Sequence, residues 1–410
     1  MKFRLAAFTL IASILLSFTA GEAGAEAGKA SVHPGNEWSR QSAYPSPAKP
    51  SIKWSVDLGK DVSNMVIDSD GVIYAVSKHN FSRMLAAVSP EGKVKWRVEL
   101  QGDSNGLMLY QDNTIILSTY DNDGSKINST ISAYATDGTF IWENNYSDFN
   151  SFSRDAYVSS DGLIVLAGSR TQQSASNKEE ARIVGISAEG EPVFDVTTQL
   201  NYEYISVSSP VIAENTIYFT VSKGIKRQIS KRSSVIDFKD GKLMRMDKTG
   251  KIIGSTAYKG EYNLAPPVYL NKTLYVQTNE ALHLFDTGGK AIRKISAPAK
   301  AQSNNGVGPT IGANGTYIFG QRVYDAKGKM VWSLSPFDVP FSEDYNVNTV
   351  LLDKNQNALL VYGTGVKSVN PKTKKTNWKL PLYQNITSPP VLAKDGTLYV
   401  GGTSKLFAIK

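Results

Sequence analysis

The sequence contains no cysteine, which excludes a disulfide, a thiolate metal site and a thiol nucleophile. It also excludes a lipobox, and with it a lipid anchor at a mature N-terminus. Histidine is nearly absent too. His33, His79 and His283 are far apart, and none has a second ligand at metal spacing, so surface or structural roles are expected and no metal site is assigned. Gly-x-Ser-x-Gly, a P-loop and Gly-x-Gly-x-x-Gly are all missing, so no catalytic residue and no cofactor-binding residue is assigned. Beyond the first two dozen residues no stretch is long and apolar enough to span a membrane as a helix.

Those first residues form a separate segment. Lys2 and Arg4 precede an apolar run from Leu5 to Leu16 and the small-residue site Ala23-Gly24-Ala25. This is the pattern of a cleaved secretory signal peptide over 1–25, giving an exported chain that starts at Glu26. Residues 26–50 carry Pro34, Pro45, Pro47, Pro50 and the lone Trp38 without apolar periodicity, and are expected to be an extended arm that packs irregularly. The remainder, 51–410, is expected to be one domain. The formal charge of +8 favours anionic polymers or membrane surfaces as partners, weakly, because it is spread along the chain.

What is abundant is a repeat. Two adjacent apolar residues follow a turn at Ile73-Tyr74, Ile115-Ile116, Ile164-Val165, Ile217-Tyr218, Leu274-Tyr275, Tyr317-Ile318, Leu359-Leu360 and Leu398-Tyr399. The intervals are those of one propeller blade. Each core is preceded by Asp-Gly, Asn-Gly or a related pair, or by a single Asn, residues suited to tight hairpins. A second marker is an aromatic residue four positions after a turn glycine: Gly92 to Trp96, Gly138 to Trp142, Gly190 to Phe194 and Gly328 to Trp332. Lys374 to Trp378 keeps the spacing, whereas Gly254 and Arg293 occupy the aromatic position of two degenerate units. Pro210, Pro267, Pro309 and Pro390 stand where the innermost strands begin, a position that needs no ladder donor.

The last unit, Ser388–Lys410, has three strands, and Trp54 heads a lone strand at 51–58. A repeat divided this way closes a circular array. The expected fold is all-β: an eight-bladed β-propeller of four-stranded antiparallel blades, closed by pairing of N- and C-terminal strands. Trp54, Trp96, Trp142, Phe194, Trp332 and Trp378 are expected to dock one blade on the next rather than to stack sugars.

Asp-Gly-x-Leu/Ile-Tyr followed by Gly-Lys-x-x-Trp resembles the repeat of the pyrroloquinoline quinone (PQQ)-like propellers, over about residues 37–410. That group holds quinoprotein dehydrogenases and non-catalytic exported members, among them the propeller subunit of the outer-membrane β-barrel assembly machinery. The dehydrogenases pair adjacent cysteines with a calcium site, and with no cysteine here neither quinone nor calcium residues are carried over. The resemblance therefore implies an exported, non-catalytic scaffold without cofactor; the alternative is a quinone- or carbohydrate-active enzyme at the channel mouth. Asp68-Ser69-Asp70-Gly71 and Asp121–Gly124 read as turns, because neither continues as a calcium loop.

One stretch departs from the repeat average. Lys223, Lys226, Arg227, Lys231 and Arg232 fall within ten residues with no acid among them. They are a solvated hairpin or a basic contact for an acidic protein or an anionic cell-envelope polymer. No nucleic-acid partner is expected, and the protein is expected to be a monomer in the cell wall, periplasm or extracellular space. Residues 168–181, rich in Gln, Ser and Asn, are expected to be a flexible insertion.

Overall fold

The computed structural model describes residues 40–410 except 80–81, 123–126, 150, 153–155, 173–174, 231–232, 264, 297–307, 320–321 and 334–349. The signal peptide and the first part of the arm, with His33 and Trp38, lie outside the described residues, as do Lys231 and Arg232.

All regular structure among the described residues is β. The strands form eight antiparallel sheets, each a blade whose chain order runs from the innermost to the outermost strand. The first blade is Lys60–Ile67, Ile73–His79, Ser82–Val88 and Val94–Leu100. In the third and fourth blades the innermost strand is broken in two. Tyr204–Val207 and Val211–Ala213 flank Pro210 in the fourth, where a ladder donor is missing. The innermost strands of blades five, six and eight begin at Val268, Thr310 and Val391, each the residue after a proline.

The blade is legible in burial. Ile73-Tyr-Ala-Val-Ser77 is buried on both faces, because middle strands are packed between neighbouring blades. The outermost strand Val94–Leu100 alternates exposed and half-buried residues. Third-to-fourth turns repeat one device: Asp247 Oδ1, Asp286 Oδ1 and Asp325 Oδ1 each accept the amide four residues on, at 3.0, 2.8 and 2.9 Å. The glycine after that cap sits at positive φ, 90° for Gly250 and 80° for Gly328, which a side chain strains to adopt.

Ring closure uses the two ends of the described chain. Ile52–Asp57 is the outermost strand of the eighth blade and pairs with Lys405–Ile409, with Trp54 opposite Ala408 and Asp57 opposite Lys405. First-to-second and third-to-fourth turns therefore share one end of the ring, the turn end; second-to-third hairpins and inter-blade connections share the other, the hairpin end. Cross-contacts fit this, since Lys248 Nζ meets Asp161 Oδ2 at 2.6 Å and Lys410 Nζ meets Asp395 Oδ2 at 2.7 Å, each joining two kinds of turn.

One expectation needs correction. Residues 168–181 are no loose insertion: Ile164–Gln172 pairs with Ala175–Ile186, Gly168 lying opposite Arg182 and Arg170 opposite Glu180. A 2.7 Å ion pair from Arg170 Nε to the buried Glu180 holds these polar strands, so ladder and charge order what lacks apolar alternation. The described part of the arm packs against two blades. Gln41 bridges Leu352 in parallel, adding to the innermost strand of blade seven. Ser42 N donates to Leu352 O and Leu352 N to Arg40 O, while Ser46 N and Oγ donate to the fully buried Asp353 Oδ2. Arg40 Nη1 and Gln41 Oε1 bond Gly308 O and Ala313 N of blade six, so the strap ties two blades together.

Candidate functional site

The six aromatic residues singled out above fall on outermost strands, and four lie against the next blade's turn glycine. A Cβ on Gly92 would meet Trp54; on Gly138, Trp96; on Gly190, Trp142; on Gly250, Phe194. Three indoles also donate to the carbonyl two residues before that glycine: Trp54 Nε1 to Pro90 O, Trp96 Nε1 to Thr136 O and Trp142 Nε1 to Ala188 O, each at 2.9 Å. Trp332 and Trp378 are partly buried against clusters that join blade six to blade seven and blade seven to blade eight.

The degenerate units are repaired by other side chains. Arg245 fills the space a Cβ of Gly254 would need and lies against Gly289 of blade five, while Tyr218 Oη donates to Thr287 O at 2.9 Å. Thr287 stands two residues before Gly289, the position that accepts the indole bonds elsewhere. In the next unit Arg293 Nη1 donates to Ala326 O at 2.7 Å, and Ile295 covers Gly328. The sequence shows Arg293 at the aromatic position but not that its guanidinium takes over the indole's bond, and Arg245, Tyr218 and Ile295 escape the pattern because they stand at other strand positions.

The hairpin end is uneven. Blade five turns tightly, with Thr273–Gln277 followed at once by Ala281–Asp286, whereas blade four sends out Thr216–Ser230 and Ser233–Asp247, fifteen residues each. Blade three has the next longest pair. The blade-four hairpin bears Lys223, Lys226 and Arg227. Lys223 Nζ lies 5.3 Å from the Tyr202 ring centroid, Lys226 is exposed, and Arg227 Nε meets Asp237 Oδ2 at 2.5 Å. The partner strand thus supplies the acid missing from the basic run. Around these cations Ile229 and Ile236 are 57% and 41% exposed, so the tip offers apolar as well as charged contact. Tyr383, 88% exposed with φ of 57°, projects from the connection between blades seven and eight at the same end. No motif around it gave notice of this.

A brace holds the hairpin at its base. In the connection after blade four, Gly260 N donates to Asp240 Oδ1 at 2.8 Å and Gly241 N to Glu261 O at 2.7 Å. Ser222 Oγ both accepts from Asn263 N and donates to Asn263 O, and the Tyr262 ring lies 6.4 Å from Phe238. Glu261 then anchors this connection to blade five. Its carboxylate accepts from Thr278 Oγ1 at 2.5 Å, His283 Nε2 at 2.7 Å and Lys294 Nζ at 2.5 Å, and the residue is only 5% exposed. Burial pushes its carboxyl up, but the Lys294 ammonium, the Thr278 hydroxyl and the His283 imidazole outweigh burial and hold it below the usual glutamate value. Tyr258, buried over Gly241 and 5.7 Å from the His283 ring, has its phenol pushed strongly up by desolvation. The residues of this node span 222 to 294 in the sequence and form no motif.

Asp68 serves its own turn. Asp68 Oδ1 accepts from Asp70 N and Val72 N, and Oδ2 accepts from Tyr74 Oη at 2.8 Å, which is turn chemistry. Among the described residues no three His, Cys, Asp or Glu side chains are grouped to hold a metal ion.

Comparison with known proteins agrees with this architecture. Residues 44–233 match the PQQ_2 family model, described as outer membrane protein assembly factor BamB. No curated protein sequence matches. Among solved structures, BamB from Moraxella catarrhalis superposes with a TM-score of 0.55 at 12% identity, covering 88% of this chain and 100% of that one. A europium-containing methanol dehydrogenase superposes with a TM-score of 0.53 at 13% identity, covering 93% of this chain and 91% of that one. At such identities the likeness is one of fold. The repeat runs around the whole ring and the family model matches part of it, so the chain is an eight-bladed β-propeller whose repeat is similar to that of the PQQ-like proteins.

Proposed function

We propose that this protein is an exported, non-catalytic scaffold, a mature chain from Glu26 whose residues 51–410 form one propeller domain, and that it binds its partner at the hairpin end. The partner is an acidic protein surface or an anionic cell-envelope polymer. The observation that carries the reading is the blade-four hairpin. It extends well past the tight turn of blade five, bears cations beside exposed Ile229 and Ile236, and is fixed at its base through Glu261. Rigid projection suits a contact element, because little conformational entropy is then lost on binding. Lys231 and Arg232 belong to the same basic run and are assigned to the contact with Lys223, Lys226 and Arg227.

The enzyme reading has likeness of fold in its favour, and fold does not carry activity. The residues present do not fit a calcium-bound quinone capped by adjacent cysteines. The chain has no cysteine, and no group of acids converges among the described residues. Mixed with PQQ, Ca²⁺ and a redox dye, the protein is expected to give no alcohol- or aldose-dependent dye reduction, and mild crosslinking in its native envelope is expected to trap a partner through the 223–232 segment. Substrate-dependent turnover, or crosslinks confined to the turn end, would refute the proposal.

A further inference from the structure

The turn end of the ring is electrically divided. In blades one to three its turns carry Asp70, Asp112, Asp137, Asp161, Glu189 and Glu191, opposed by Lys93. In blades five to seven they carry Lys272, Lys290, Lys327, Lys329, Lys372 and Lys374. The acids of that second arc are turned onto the chain itself. Asp286 and Asp325 cap their own turns, and Asp353 is buried on Ser46 and Asn357. Where the arcs meet, Asp161 and Lys248 already form a 2.6 Å ion pair between blades three and four.

With eight blades in the ring, blade two lies across the channel from blade six, one from five and three from seven. The acidic arc is thus diametrically opposed to the basic arc. A half-turn about an in-plane line through blades four and eight exchanges one, two and three with seven, six and five. We infer that the turn end is a self-association surface, on which a second copy of this chain docks face to face about that axis, each acidic arc over the other's basic arc.

Such a contact is isologous, so every favourable charge pair is made twice and the assembly closes at two. A flat anionic lipid surface fits less well, because it would attract one arc and repel the other. Exposed aliphatic side chains border both arcs, Ile141 and Val193 beside the acids, Ile292 and Met330 beside the lysines, so apolar contact accompanies charge of either sign. The hairpin end stays open for the partner proposed above, from which this inference is independent. It departs from the monomer expected above.

Sedimentation velocity of the mature chain at low and high salt tests it, since screening shortens the reach of these charges from roughly 30 Å at 0.01 M to roughly 8 Å at 0.15 M. A dimer is expected at low salt and a monomer at high salt. Two double variants on blades that this axis brings together, Glu189→Lys with Glu191→Lys in blade three and Lys272→Glu with Lys290→Glu in blade five, are each expected to weaken self-association roughly tenfold or more by placing like charges together. Mixed in equal amounts they are expected to form a dimer again, an outcome that misfolding cannot produce. Unchanged melting curves check the fold of each. The inference fails if the parent is a monomer at low salt, if either variant dimerises like the parent, or if the mixture stays monomeric. Monomeric parent that pellets with phosphatidylglycerol vesicles, and loses this with the lysine variant, would assign the basic arc to lipid instead.

Discussion

A chain lacking residues 51–58 is expected to lose the closed ring, melting far below the parent or aggregating when expressed. The segment completes the eighth blade: Ser51 N and Lys410 N each bond the other residue's carbonyl, at 2.8 and 2.9 Å, and Ile52–Asp57 pairs along Lys405–Ile409. Its removal leaves Lys405–Ile409 as an unpaired edge with buried Leu406, Phe407, Ala408 and Ile409 behind it, an aggregation template. It also detaches Leu58, which is 1% exposed and whose carbonyl accepts from Ser77 Oγ of the first blade at 2.6 Å. Within the segment Trp54 spans the seam, its ring 5.7 Å from Tyr399 and its indole N–H on Pro90 O. Because that ring is only partly buried, Trp54→Ala is expected to cost about 3 kcal/mol, the low end for a large aromatic. Thermal unfolding followed by circular dichroism measures both. A parent-like melting curve in the deletion would mean that the ring does not depend on this closure.

Replacing Glu261 with Leu is expected to destabilise the protein by about 3 kcal/mol, since it leaves Thr278 and His283 without their buried acceptor and removes the ion pair of the half-exposed Lys294 ammonium. The loss should be local in its dynamics. Amide exchange is expected to accelerate in residues 222–240, whose base rests on the connection that Glu261 anchors, and not in blades one and two. The pH dependence has a definite sign. A carboxyl held below its unfolded value contributes stability that is fully present above the unfolded glutamate pKa, about 4.3, and is lost as pH falls through the lower folded value. Asp395, which burial pushes up but Lys410 and Thr397 bring down to about 2, adds to the same acid window. Below that window the parent and Glu261→Leu should therefore converge in melting temperature. A variant as stable as the parent at neutral pH, with unchanged exchange in the hairpin, would show that Glu261 is no anchor.

The ring was legible in the sequence because its signals are local. Each Asp-Gly or Asn-Gly turn, each buried pair such as Ile73-Tyr74 and each aromatic four residues after glycine falls within one hairpin, so reading along the chain finds it. The halved eighth blade was legible for the same reason, as three strands at one end and a Trp strand at the other. What escaped is assembled across blades. Arg245 and Tyr218 do for blade four what Trp142 does for blade two, but from its inner strands, and a pattern tied to one position misses them. Residues 168–181 read as loose because Ser and Gln weaken apolar alternation, whereas Arg170 and Glu180 order them across the hairpin. The basic run at 223–232 was visible, yet Asp237, which pairs with Arg227, sits on the return strand. Opposed charge on the turn end is further still from sequence, since it emerges only once turns of six blades are brought to one plane.

The central claim, that a closed propeller uses the blade-four hairpin to hold an anionic partner, is tested most directly by sedimentation with native cell envelopes across a salt series. The parent is expected to pellet at low salt and to be released steeply as salt rises, since exposed cations act only within a Debye length. The variant Lys226→Gln, Arg227→Gln, Lys231→Gln, Arg232→Gln is expected to stay in the supernatant at every salt concentration, with a nearly unchanged melting temperature because solvated charges contribute little to stability. A quadruple variant that pellets at low salt as fully as the parent would contradict the account and move the partner surface away from this hairpin.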